Sequence, residues 1–88
     1  MDCKVRRAEK RDFRALVRIA GQLIHLDDWS GRERMLGKTL QDPDCDIYVA
    51  EMDGTPVGFV ELRIFPDFVE GSHIALIQNL IVEKEHRR

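Results

Sequence analysis

The stretch Ile74-Ala75-Leu76-Ile77-Gln78-Asn79-Leu80-Ile81-Val82 decides how the rest of the chain is read. It forms a strand candidate over residues 73–82, apolar except at Gln78 and Asn79 once His73 is passed. Regular alternation places Ile74, Leu76, Leu80 and Val82 on one face and Ala75, Ile77 and Ile81 on the other. A strand that is apolar on both faces is expected to be central and covered on both sides. Left at the outside of a sheet, it would be a long apolar edge of the kind monomers avoid.

The segments before it set its partners. Residues 57–65 alternate as a strand, with Val60, Leu62 and Ile64 facing one way and Phe59, Glu61, Arg63 and Phe65 the other. Asp53-Gly54 is a hairpin turn signal, because glycine accepts positive φ. The returning strand is residues 47–52, where Ile47, Val49 and Glu51 alternate against Tyr48, Ala50 and Met52.

Further upstream, Phe13, Leu16, Val17, Ala20, Leu23 and Ile24 fall at helical spacing and predict a helix over residues 10–26. Ser30-Gly31-Arg32-Glu33 reads as a capping box for a second helix over residues 30–40, which would bury Met35, Leu36 and Leu40. Residues 3–8 open the chain as a short strand. The expected fold is α+β, in the order β-α-α-β-β-β. It has a mostly antiparallel four-stranded sheet with two helices on one face, built as a single domain over residues 1–88.

Both helices come before the second strand and can cover only one face of the sheet. The strand at 73–82 therefore asks for cover that these residues do not supply. Two sources are expected: further chain beyond Arg88, or a second molecule, as a homodimer or swapped assembly through residues 73–82.

Composition excludes several classes. At 88 residues and 43% hydrophobic, there is room for one small core. Residues 1–38 hold ten Lys or Arg against six Asp or Glu, and residues 39–88 hold four against ten. The net charge of -2 gives no field for nucleic acid, and the clustered Lys4, Arg6, Arg7, Lys10, Arg11 and Arg14 are a local hint only. No apolar run is long enough for a bilayer, and no signal peptide opens the chain, so neither membrane nor export is expected. Cys3 and Cys45 have no metal-ligand spacing and read as small hydrophobes in a cytoplasmic protein. His25, His73 and His86 do not form a metal-binding set.

Three stretches carry a resemblance. They are Val5-Arg6-Arg7-Ala8-Glu9 through Asp12 and Leu16, then Ile47-Tyr48-Val49-Ala50-Glu51-Met52-Asp53-Gly54 with Pro56-Val57-Gly58-Phe59-Val60, and then Ala75 through Arg87. In this order they resemble the first half of the GNAT superfamily of N-acetyltransferases. The resemblance implies an acetyl-CoA-dependent enzyme that transfers an acetyl group to a primary amine on a small molecule or peptide. Arg87 and Arg88 would open that family's phosphate loop, whose glycines and following helix lie beyond the last residue. A half-domain that is inactive alone is therefore expected. The rival expectation is a non-catalytic module that pairs through its last strand.

The same resemblance implies site residues. The backbone of Leu80, Ile81 and Val82 would hold the pantetheine arm, and Arg87 and Arg88 the phosphates. The family often places a glutamate base at positions that here are Leu76 and Gln78. Glu61 on the neighbouring strand is then the carboxylate left to accept a proton, with Gln78 and Asn79 orienting a water or the substrate; its alternative is a solvated surface position. Acceptor recognition would fall to the segments 25–29 and 65–70, where Asp28, Trp29, Phe65 and Phe68 combine carboxylate with rings suited to a cationic amine. No metal is expected.

Overall fold

The structure, a computed structural model, describes residues 3–24 and 28–86. The elements run β1 (Cys3–Arg7), α1 (Phe13–Ala20), α2 (Ser30–Gln41), β2 (Cys45–Met52), β3 (Thr55–Asp67) and β4 (Ser72–Val82), with 3-10 turns at Lys10–Asp12 and Lys84–His86. The strands form one antiparallel sheet in the order β1-β2-β3-β4. This is the expected α+β architecture.

Asp53 and Gly54 both take positive φ, 52° and 85°, and close the β2–β3 hairpin as the sequence predicts. Opposed residues in a sheet share a face, so the register defines two surfaces. Ile47, Glu61 and Asn79 form one row and Val49, Phe59 and Ile81 the next, both on the side of the helices. Tyr48, Val60 and Leu80 form a row on the opposite side.

Helix α1 buries Leu16, Val17 and Ile19; Leu16 clusters with Ile47 and Val49 of β2, and Ile81 of β4 is buried as well. Ile19 and Val49 are wholly buried, and full burial of such a side chain is worth roughly 1.5–3 kcal/mol. Leu36 and Leu40 of α2 pack at the margin of this cluster. A polar knot ties β1 to the start of α1. Both terminal nitrogens of Arg6 donate to Asp12 at 2.8 Å, its Nε donates to Glu51 at 3.0 Å, and the Glu9 amide donates to Asp12 at 2.7 Å. Asp12 is only 2% exposed. Its carboxyl is held below the usual range first by the Arg6 hydrogen bonds, against the opposing effect of burial.

Five expectations are corrected. The first helix stops at Ala20 rather than running to residue 26. The Gly21 amide still reaches Val17, but those of Gln22 and Leu23 reach back only three residues, so the helix tightens and ends. Leu23 and Ile24 are left exposed. The Ser30 capping box is absent: Trp29 is the cap residue, its carbonyl takes the Glu33 amide, and the Asp28 carboxylate takes the Ser30 amide at 2.9 Å. Met35 is exposed, and α2 buries no residue fully.

The remaining two concern β4. It is the edge of the sheet, not a central strand, with Leu76, Ile77 and Leu80 at 54%, 59% and 65% exposed and Ile81 at 4%. Its alternation is also broken. Glu61 pairs with Asn79 but Leu62 pairs with Ile77, so Gln78 is an extra residue in a bulge. Leu80 and Val82 therefore share the outer face with Ala75 and Ile77, while Ile74 and Leu76 lie on the side of Ile81. Among the described residues, no helix is long and apolar enough to cross a membrane.

Candidate functional site

The bulge lets two neighbouring residues, Gln78 and Asn79, reach the same cleft on the helix side of the sheet. That cleft has a volume of about 550 Å³ and lies between α1, α2 and strands β2 to β4. Its walls are largely apolar, with Val17 and Ala20 from α1, Leu36 from α2 and Phe59 from β3. Polar groups enter mainly from the sheet: Glu61 and Arg63 from β3, and Gln78 and Asn79 from β4. A pocket of this size with a few convergent polar groups is the usual form of a small-molecule site.

The polar groups hold each other. Asn79 Nδ2 donates to Glu61 Oε1 at 2.8 Å, and the Cys45 thiol donates to Glu61 Oε2 at 3.7 Å. Burial pushes the Cys45 thiol above its ordinary range, and the Glu61 charge adds to this, so the sulfur keeps its proton and remains a donor. Arg63 Nε donates to Gln78 Oε1 at 3.0 Å, and Arg63 Nη1 to Asp42 Oδ2 at 2.8 Å. Asp42 is held low first by the Asp44 amide and then by Arg63. Glu61 is thus a half-buried carboxylate, fixed from two sides and facing an apolar cleft.

The other sequence candidates lie elsewhere. Leu80 and Val82 are exposed on the outer face of the edge strand, while the Ile81 side chain is in the core, leaving only its backbone for a ligand. Asp28 and Trp29 sit at the start of α2, and Phe65 and the 94% exposed Phe68 at the far end of the β3–β4 hairpin. None of these four lines the cleft. Arg87 and Arg88, and the segment His25-Leu26-Asp27, lie outside the described residues. His73 is exposed at the start of β4, opposite Pro66. The basic cluster of the first half is largely paired internally, Arg6 with Asp12 and Glu51, Arg7 with Asp46 and Arg11 with Glu9.

Sequence reasoning missed the parts played by Arg63 and Cys45. The alternation of β3 already placed Arg63 beside Glu61. Cys45 lay outside the strand as read.

The model of the acetyltransferase (GNAT) family matches residues 4–88. The chain belongs to the GNAT family. No curated protein matches it. Solved structures match its fold. A GNAT family acetyltransferase from Staphylococcus aureus subsp. aureus USA300_TCH1516 superposes with a TM-score of 0.86 at 14% identity, over 100% of this chain and 67% of that one. Ribosomal-protein-alanine N-acetyltransferase from Brucella melitensis biovar Abortus 2308 gives 0.81 at 21% identity, over 99% and 60%. AAC(6')-Iy, in complex with the bisubstrate analog CoA-S-monomethyl-acetylneamine, gives 0.82 at 21% identity, over 100% and 62%. This GNAT chain therefore spans between three fifths and two thirds of the length of these structures.

Proposed function

We propose that the chain belongs to an acetyl-CoA-dependent N-acetyltransferase and builds the side of its site that meets a primary amine, being inactive alone. The observation that carries this is Glu61, anchored by Asn79 and Cys45 and facing the cleft beside the edge strand β4. Family membership and a fold shared with a structure bound to a CoA-containing analog support it.

Acetyl-CoA supplies, when bound, an acetyl group activated as a thioester. The residues fit such a ligand at the edge of β4, where the backbone at Leu80, Ile81 and Val82 borders no further strand among the described residues. A strand edge offers amide and carbonyl groups to an amide-bearing arm in the way it accepts a peptide. Arg87 and Arg88 are assigned to phosphate by the family pattern alone. Glu61 accepts the proton that the attacking ammonium must lose, directly or through a water held by Asn79 and Gln78. Asp28, Trp29, Phe65 and Phe68 are assigned to the outer part of a cationic acceptor. Calorimetric titration with acetyl-CoA, into this chain and into a polypeptide continuing past Arg88, tests the reading. Binding by the longer form and none by the shorter is expected; no binding by the longer form overturns it.

A second reading is favoured by β4 itself. Ile74, Leu76, Ile77 and Leu80 are all substantially exposed along an open edge. That surface suits pairing with a second copy, as a homodimer or swapped assembly through residues 73–82, or service as a non-catalytic interaction module. Sedimentation at high micromolar concentration separates the cases: a folded monomer removes the pairing.

A further inference from the structure

Resting on the acetyl-transfer reading, we infer that the acceptor is a monoamine with an apolar body, its amine at Glu61 and its hydrocarbon part against Leu23, Ile24 and Met35 at the mouth of the cleft. These three side chains line the cleft and are 56%, 59% and 51% exposed. Val17, Ile47 and Ile81 line it too but are buried. The first set therefore forms the open mouth and the second the interior. Leu23 and Ile24 lie past the end of α1 at Ala20 and do not join its buried face. Apolar side chains gathered in water around a formed cleft mark a ligand groove.

Charge limits the ligand to one ammonium. Among the described residues lining the cleft, Glu61 is the sole carboxylate, and the other charged groups are Arg32 and Arg63, both cations. A second ammonium on the same ligand would meet guanidinium groups and no anion. Hydrogen bonding limits its other polar groups. Gln78 and Asn79 cluster at the Glu61 end, on Arg63 and Glu61. Towards the mouth, Thr39 Oγ1 donates to the Met35 carbonyl at 2.9 Å and Arg32 Nη2 to the Ile24 carbonyl at 2.6 Å. A ligand rich in hydroxyls would leave some of its own groups unpaired there. Hydrocarbon meets no such cost, and each methylene fully withdrawn from water is worth about fourfold in affinity.

NMR titrations of this chain, isotope-labelled at amides and methyl groups, with n-butylamine, n-heptylamine and heptane-1,7-diamine test this. Heptylamine should bind at least about tenfold tighter than butylamine, since a half-exposed mouth withdraws only part of the three added methylenes from water. The diamine, on the same carbon chain, should bind at least about tenfold more weakly than heptylamine. Shifts should concentrate at Leu23, Ile24, Met35 and Glu61. Ile77 and Leu80, exposed on the outer face of the sheet, report any non-specific adsorption. Leu23→Ser and Met35→Ser change exposed positions, so folding does not hinge on them, and each should reduce the heptylamine-to-butylamine ratio severalfold. Glu61→Gln should weaken both amines alike.

Equal binding of butylamine and heptylamine, a diamine that binds as tightly as heptylamine, shifts confined to the outer face, or no binding at all would each overturn the inference. Titrating acetyl-CoA into a form that continues past Arg88 keeps the two ideas apart. Acetyl-CoA binding without the apolar preference defeats this inference alone. The apolar preference without acetyl-CoA binding defeats the transfer reading alone.

Discussion

The side-chain amide of Asn79 donates to Glu61 at 2.8 Å across the paired strands β3 and β4, and this contact exists because of the bulge one residue earlier. The bond fixes a carboxylate that the cleft would otherwise leave free to rotate. Replacing Glu61 with Gln keeps the shape and one acceptor oxygen but removes the proposed base. In an acetyl-transferring form of the protein, kcat for a primary amine should fall by about 10²–10⁴-fold, with the affinity for acetyl-CoA unchanged. Asn79→Ala should cost less, about tenfold in kcat. Steady-state kinetics on both variants checks the ranking; an unaffected Glu61→Gln enzyme would remove Glu61 from the chemistry.

The two cysteines should react very differently. Cys3 is exposed on the edge strand β1, while Cys45 is buried and its thiol is pushed up by burial and by Glu61. Thiolate is the reactive form. A disulfide reagent at neutral pH should therefore modify one thiol in the folded chain and two after denaturation. Rapid labelling of both in the native state would show that the β2–β3 contact is open.

The Asp12 carboxyl makes stability depend on acid. Arg6 and the Glu9 amide hold its folded pKa below the unfolded value, which lies near 3.9. Its contribution is complete above that value and disappears as pH falls through the folded pKa. Thermal melts should decline steeply below about pH 4. Asp12→Asn should flatten that decline and lower stability near neutrality by about 3 kcal/mol, as expected when one partner of a buried ion pair is lost.

Gly58 lies on β3 opposite Val82, at the end of β4. A Cβ there would sit 2.9 Å from the Ile81 carbonyl oxygen and 3.4 Å from the Val82 Cα. Both obstacles are backbone, so β4 would have to move. Gly58→Ala should destabilise by about 1–3 kcal/mol and speed amide exchange in residues 80–82. Unchanged exchange would mean that β4 accommodates the methyl group without moving.

The residues whose roles depend on local rules were legible in the sequence. Asp53-Gly54 specifies its turn because few other pairs accept two positive φ values, and the alternation of β3 already turned Phe59, Glu61 and Arg63 together. The bulge was not legible. Gln78 and Asn79 announce themselves as polar, but nothing in their identity says that both face the same way. The end of α1 was misread because Leu23 and Ile24 continue a helical stripe beyond Gly21, and tertiary context leaves them exposed.

The extra residue at Gln78 has one more consequence, for length variation. Deleting that one amino acid would restore even spacing and leave residues 74–77 on the faces they hold now, with Ile77 still opposite Leu62. A strand that kept Gln78 but lost the bulge would instead turn these residues over, carrying Leu76 to the outer surface and Ile77 inward, and so exchange which side chains meet the helices. At this point, whether one residue is taken into the ladder or left out of it carries as much structural information as the identity of its neighbours.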